Sequence, residues 1–155
     1  MTTSKTLAAA SLILALSLAT PSLAAKNDVT LTTPFGDSSA LDFTWGAANS
    51  SSAQGGGGAG AGKATIQNVS VSRNPDSQSA KFVESVVRGT VLTSVTLSKG
   101  PLRLVLSGVT IASYAIEGPD GEKSTENISM SFRKFSYTAD GTAPFCFDVA
   151  TNAPC

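Results

Sequence analysis

The chain contains no histidine. That absence removes the usual general base for a serine or cysteine nucleophile and the commonest metal ligand. Cysteine is nearly as scarce: Cys146 and Cys155 are the only two. Two thiols without an imidazole fall short of a four-ligand metal site. Charged residues make up only 14% of the sequence, and Lys plus Arg balances Asp plus Glu at 11 each. No net field therefore draws the chain to nucleic acid or to an anionic membrane. Long apolar runs are missing too. The longest, residues 7–19 (LAAASLILALSLA), stops short of the roughly 20 residues a spanning helix needs. Together these absences point to a protein without enzymatic activity, cofactor, metal or inserted membrane segment.

What is present begins with a leader. Lys5 precedes the apolar run, and Pro21-Ser22-Leu23-Ala24 supplies a small-x-small cleavage site, the three parts of a secretory signal peptide. Residues 1–24 are read as that signal, with the cut after Ala24 and Ala25 as the second choice. The mature protein is then expected in the periplasm or outside the cell. Removing Lys5 takes the basic count from 11 to ten against 11 acids, a net charge of minus one. In an oxidising compartment the pair Cys146 and Cys155 is expected to form a disulfide. It would pin a C-terminal tail, residues 142–155, that otherwise frays.

The charges that exist are unevenly placed. Lys63, Arg73, Lys81, Arg88, Lys99 and Arg103 fall in the middle of the chain, while Asp28, Asp37, Asp42, Glu117, Asp120, Glu122 and Glu126 flank it. Either the surface is simply mixed, or two oppositely charged faces meet between copies.

Hydrophobic periodicity gives mostly strands. Residues 29–33 alternate and end at Pro34, and Gly36-Asp37-Ser38-Ser39 reads as a turn. Leu41, Phe43 and Trp45 share one parity, so residues 40–46 read as a half-buried strand. In residues 64–73, Ile66 lies on one parity and Val69 and Val71 on the other, which predicts a bulge near Gln67-Asn68. The period then changes. Asn74-Pro75-Asp76 is a helix start, Ala80, Phe82, Val83, Val86 and Val87 recur at helical steps, and Gly89 is a stop. Strands follow over 91–98, 102–107 and 109–116, with Gly108 as an interruption. After a turn at 118–121, Ile128, Met130 and Phe132 share one face while Phe135 and Tyr137 take the other parity. A second bulge is expected at Arg133-Lys134. Strands of this number with one helix predict a small antiparallel β-barrel or sandwich capped by that helix.

Residues 55–63 (GGGGAGAGK) place Gly57, Gly62 and Lys63 at the spacing of a phosphate-binding loop. Ala64 stands where the magnesium-binding hydroxyl belongs, and a strand pattern, not a helix, follows. The stretch is a loop. Asp120 and Glu122 lie in a Pro-Gly turn, where acids are expected, without calcium-loop spacing. Asn68-Val69-Ser70 and Asn127-Ile128-Ser129 match the glycosylation triplet but fall inside strand patterns.

The order of several local signatures resembles one family. These are Phe43-Thr44-Trp45-Gly46 before a Gly/Ser loop, Gly62-Lys63-Ala64-Thr65-Ile66-Gln67 entering a strand, and the helix over 76–88. The run Ser124-Thr125-Glu126-Asn127-Ile128-Ser129-Met130-Ser131-Phe132, continuing to Phe135-Ser136-Tyr137, closes the set. Over residues 40–138 the chain resembles the Hcp (haemolysin-coregulated) proteins, tube subunits of the bacterial type VI secretion system. The resemblance implies a β-barrel with one helix, closing into hexameric rings that stack into a tube and carry effectors. It brings no catalytic residues. The loop 47–62 and the neighbouring strand ends become the expected subunit contacts, with Ala47, Asn49, Gln54, Gly62 and Lys63 as candidates. The barrel domain is taken as residues 25–141. The reading is an exported, Hcp-like, ring-forming structural protein that carries or accompanies secreted effectors. The alternative is a monomeric exported β-barrel that binds a surface partner or small ligand.

Overall fold

The computed structural model describes residues 29–49, 63–118 and 123–155. Strands β1 (Val29–Thr33) and β2 (Gly36–Ala40) form a hairpin in which Thr33 pairs with Gly36. The turn is therefore Pro34-Phe35, and residues 36–39, expected as a turn, are strand. The apolar residues of β1 (Val29 and Leu31) are fully buried, and Ala40 of β2 joins them. That shared burial fixes the register.

The chain then turns a corner at Leu41. β2 pairs with β1, whereas β3 (Asp42–Thr44) pairs with β6 (Val69–Arg73). The Leu41 N–H donates to Ser72 O at 2.8 Å across the corner. This is why Leu41, expected on the buried parity, is 54% exposed while Phe43 and Trp45 are half-buried. Beyond Trp45, β4 (Ala47–Asn49) pairs with β5 (Ala64–Ile66) as a separate two-stranded ribbon. Between the pairs Thr44–Ser70 and Ala47–Ile66, Gln67, Asn68 and Val69 lie opposite Trp45 and Gly46. The extra residue is the expected bulge at Gln67-Asn68.

Helix α1 (Ser79–Arg88) follows. The helix begins three residues later than the expected Asp76, with Gln78 at the cap position and no side-chain cap hydrogen bond. Asp76 instead shapes the turn before it, accepting from the Gln78 N–H at 2.7 Å while its own N–H donates to Ser79 Oγ at 2.9 Å. Gly89 ends the helix in the left-handed conformation (φ 62°), and its N–H reaches the carbonyls of Ser85 and Val86. Of the predicted apolar stripe, Phe82 is buried and Val86 half-buried, whereas Val83 and Val87 are exposed. Ser85 takes an inward position and satisfies its hydroxyl on the Lys81 carbonyl.

The remaining strands are β7 (Val91–Lys99), β8 (Leu102–Glu117), β9 (Thr125–Ser131), β10 (Lys134–Thr138), β11 (Phe145–Asp148) and β12 (Ala153–Pro154). All pair antiparallel. Because β2 and β3 are one path with two neighbours, the sequence of pairings β1, β7, β8, β9, β6, β3 returns to β2 and closes a small barrel. β10, β11 and β12 extend the sheet from the first half of β8.

Gly108 does not interrupt β8; it bends it. Leu104 and Leu106 are buried before it and Val109 and Ile111 after it, so the inward parity reverses there. The same reversal occurs in β7 between Leu92 and Val95, and between Met130 of β9 and Phe135 of β10. The pairs Ser131–Thr110 and Lys134–Ser107 keep equal spacing on both strands. No residue is inserted at Arg133-Lys134, contrary to the expected bulge. Instead three neighbouring strands fold along one line, and the true register shift sits between Ile111 and Ser113. At the fold line Gly108 adopts φ +60°, and a Cβ there would meet Arg133 Cδ at 3.1 Å. Glycine supplies both the conformation and the space.

Candidate functional surfaces

Among the described residues the buried side chains are apolar except for Thr33, Ser85 and one charged pair. Arg73, the last residue of β6, and Glu126, the second of β9, are both fully buried, with Nε and Oε1 2.8 Å apart. Their partners come from elsewhere. Arg73 Nη1 donates to Ser38 Oγ at 2.9 Å, Nη2 pairs with the Asp76 carboxylate, and the guanidinium lies 5.2 Å from the centre of the Phe82 ring. The Tyr114 hydroxyl donates to Glu126 Oε2 at 2.7 Å. Burial pushes the Tyr114 hydroxyl up to about 12, and the hydrogen bond to the Glu126 carboxylate adds to it. Phe82 also meets Phe35 of the β1–β2 turn edge-on at 5.7 Å. The cluster thus ties β2, β6, β8, β9 and the start of α1 together. It holds the cap of the barrel in place.

At the Trp45 level a second, aromatic cluster joins the ribbon to the tail. The Phe135 ring centre lies 4.9 Å from Trp45, 5.8 Å from Phe147, 6.1 Å from Phe145 and 6.1 Å from Phe132. β11 brings Phe145 and Phe147 there by pairing with β10. Lys134 Nζ lies 3.1 Å from Asp148 Oδ2 and holds that carboxyl below its usual range. Cys146 and Cys155 are joined by a disulfide, Cα to Cα 5.3 Å, which closes the β11–β12 hairpin.

The anticipated contact residues divide. Ala47 and Asn49 lie in β4 and are exposed; Lys63 is exposed just before β5. Gln54 and Gly62 fall outside the described residues, as do Ala24, Ala25 and the rest of the leader. Most of the phosphate-loop lookalike lies outside them too, but Ala64 begins a strand, as expected. Asp120 and Glu122 are likewise outside. The charge asymmetry shrinks in three dimensions. Arg73 is internally paired, and Lys81 and Arg88 both reach Glu84, at 3.3 and 3.1 Å. Among the described residues no group of His, Cys, Asp and Glu could hold a metal ion, and no helix is long and apolar enough to cross a membrane. The Arg73–Glu126 pair and the Trp45–Phe135 cluster were not anticipated. The only sequence signal for the latter is the Phe-x-Phe alternation of residues 145–147.

A closed antiparallel barrel, one capping helix and an outlying two-stranded ribbon define the fold. Residues 35–138 match the profile described as "Type VI secretion system effector, Hcp". The chain belongs to the Hcp family of type VI secretion system tube proteins, a structural, non-enzymatic family whose members form hexameric rings. Solved structures share the fold at low identity. One described as a type six secretion system protein has a TM-score of 0.76 at 18% identity, covering 83% of this chain and 99% of its own. Hcp1 from Salmonella typhimurium gives 0.69 at 19%, covering 83% and 98%, and secreted Hcp3 from Pseudomonas aeruginosa gives 0.58 at 12%, covering 78% and 95%. No curated protein sequence matches the chain.

Proposed function

We propose that this chain is an exported tube-type subunit whose mature form begins near Ala25 and assembles into hexameric rings outside the cytoplasm. The observation that carries the reading is the extent of the family match. It runs from the β1–β2 turn to the end of β10, covering nearly the whole barrel. The β4–β5 ribbon and the intervening residues 50–62 are the contact to the neighbouring copy. Six identical subunits related by rotation need two different faces on each copy, and a ribbon outside the main sheet offers one of them. The leader and the disulfide support an oxidising destination. Accompanying or carrying secreted effectors is the role this assembly would perform.

Two experiments test the parts separately. N-terminal sequencing of the periplasmic protein should begin at Ala25, or at the residue after it; an intact Met1 in all fractions would contradict export. Deleting residues 50–60 should abolish assembly in sedimentation while leaving the fold intact. Unchanged assembly would remove residues 50–60 from the interface.

A further inference from the structure

The open end of the terminal hairpin is held mainly by its disulfide. β12 has two residues, pairs only with β11, and contains Pro154, which donates no N–H. The hairpin's turn is held by Asp148, whose Oδ1 accepts from the Ala150 and Thr151 N–H groups at 2.9 and 3.2 Å. Its open end is closed by the Cys155 N–H to Cys146 O contact at 3.2 Å and the covalent bridge. At its other end β11 is fastened to β10 by the Lys134–Asp148 ion pair and by the Val149 N–H to Arg133 O bond at 2.8 Å. The end carrying Phe145 is held to β10 by the backbone ladder (Ser136–Cys146, Tyr137–Phe145), with no ion pair among the described residues to reinforce it. Phe145 is 52% exposed.

That end reaches the ribbon in two steps. Phe145 and Phe147 pack on Phe135, and Phe135 packs on Trp45. Trp45 precedes Gly46, whose carbonyl accepts from the Gln67 N–H at 2.9 Å where β4 and β5 begin to pair. Its Nε1 is buried with no acceptor among the described residues. Ring packing against Phe135 and Tyr137 therefore fixes the indole, with no hydrogen bond to assist.

We propose that the Cys146–Cys155 disulfide is a redox latch on the β4–β5 ribbon: oxidation closes the terminal hairpin, seats Phe145 and Phe147 on Phe135, and so fixes Trp45 at the base of the ribbon. In a reducing compartment the two thiols leave the hairpin open and the base loose. Oxidation by a disulfide-bearing partner takes two electrons and two protons from Cys146 and Cys155 and leaves that partner as its dithiol. Assembly is thereby delayed until the chain reaches an oxidising compartment. This last consequence rests on the ring-subunit reading; the coupling of tail to ribbon does not.

Trp45 is the only tryptophan, so its fluorescence reads the base of the ribbon directly. Adding dithiothreitol to the purified chain should shift Trp45 emission to longer wavelength and increase its quenching by acrylamide. Far-ultraviolet circular dichroism should be retained. The variant Cys146→Ser/Cys155→Ser should show the shifted emission without reductant and ignore it when added. Emission and quenching that stay unchanged, while thiol titration finds both sulfurs free, would overturn the coupling. Sedimentation of the same samples tests the consequence. Assembly lost on reduction supports the latch, and assembly unaffected while Trp45 shifts would overturn its role in assembly. An oxidised chain that never assembles would count against the ring reading alone, because the Trp45 response still judges the coupling.

Discussion

Arg73 and Glu126 meet inside the barrel with 2.8 Å between Nε and Oε1, and neither side chain is exposed to solvent. A pair of this kind is costly to break and of small net value to keep, because each ion has given up its hydration. The Glu126→Ala variant leaves Arg73 with the partly exposed Asp76 as its one carboxylate partner among the described residues. It should lower unfolding free energy by about 3–5 kcal/mol in urea titration. The double variant Arg73→Met/Glu126→Leu should recover most of that loss. Equal destabilisation by single and double variants would show that shape, not charge compensation, matters here.

Tyr114 gives the pH dependence. Its hydroxyl ordinarily titrates near 10.0 and is raised to about 12 in the folded chain. The folded state thus holds the proton more tightly than the unfolded state. The stabilising contribution is complete below pH 10 and is lost as pH rises from there through 12. Unfolding free energy should fall with pH across that window, and the slope should flatten in Tyr114→Phe. That variant should also cost about 1–3 kcal/mol at neutral pH by leaving Glu126 Oε2 without its donor. A slope identical in both proteins would remove Tyr114 from the account.

How much of this was legible beforehand depends on how local the cause is. The helix end at Gly89 and the bulge at Gln67-Asn68 follow from neighbouring residues, and the structure has both, while the helix start falls at Ser79, after a turn that Asp76 holds. The β2 strand was hidden because Gly36-Asp37-Ser38-Ser39 carries turn residues, and only pairing with β1 makes it a strand. Gly108 looked like a break because the apolar parity reverses there. The reversal is shared by β7 and by β9–β10, and no single stretch of sequence shows that. Arg73 and Glu126 sit far apart in the chain, so nothing local announces their pairing.

Gly108 offers a comparison between two left-handed glycines. Gly100 has φ +55° with nothing near a hypothetical Cβ, while Gly108 has φ +60° and the Arg133 side chain against it. Gly100→Ala should cost about 1–2 kcal/mol from conformation alone. Gly108→Ala should cost more, and Gly108→Ala/Arg133→Ala should return it toward the Gly100→Ala value. Thermal unfolding of the three variants decides it. Equal losses in the two single variants would mean that Arg133 yields freely.

The disulfide should contribute about 2–3 kcal/mol through the short loop it closes. Chemical unfolding of Cys146→Ser/Cys155→Ser against the oxidised chain measures this. No difference would mean that β11 and β12 are held by pairing and aromatic contacts alone.

Whether the mature chain assembles is decided by its mass in solution. Light scattering on the oxidised protein, over a range of concentration at low and moderate salt, should give six times the subunit mass. A monomer at high micromolar concentration under all those conditions would contradict the account and leave a monomeric exported barrel that binds a surface partner or small ligand.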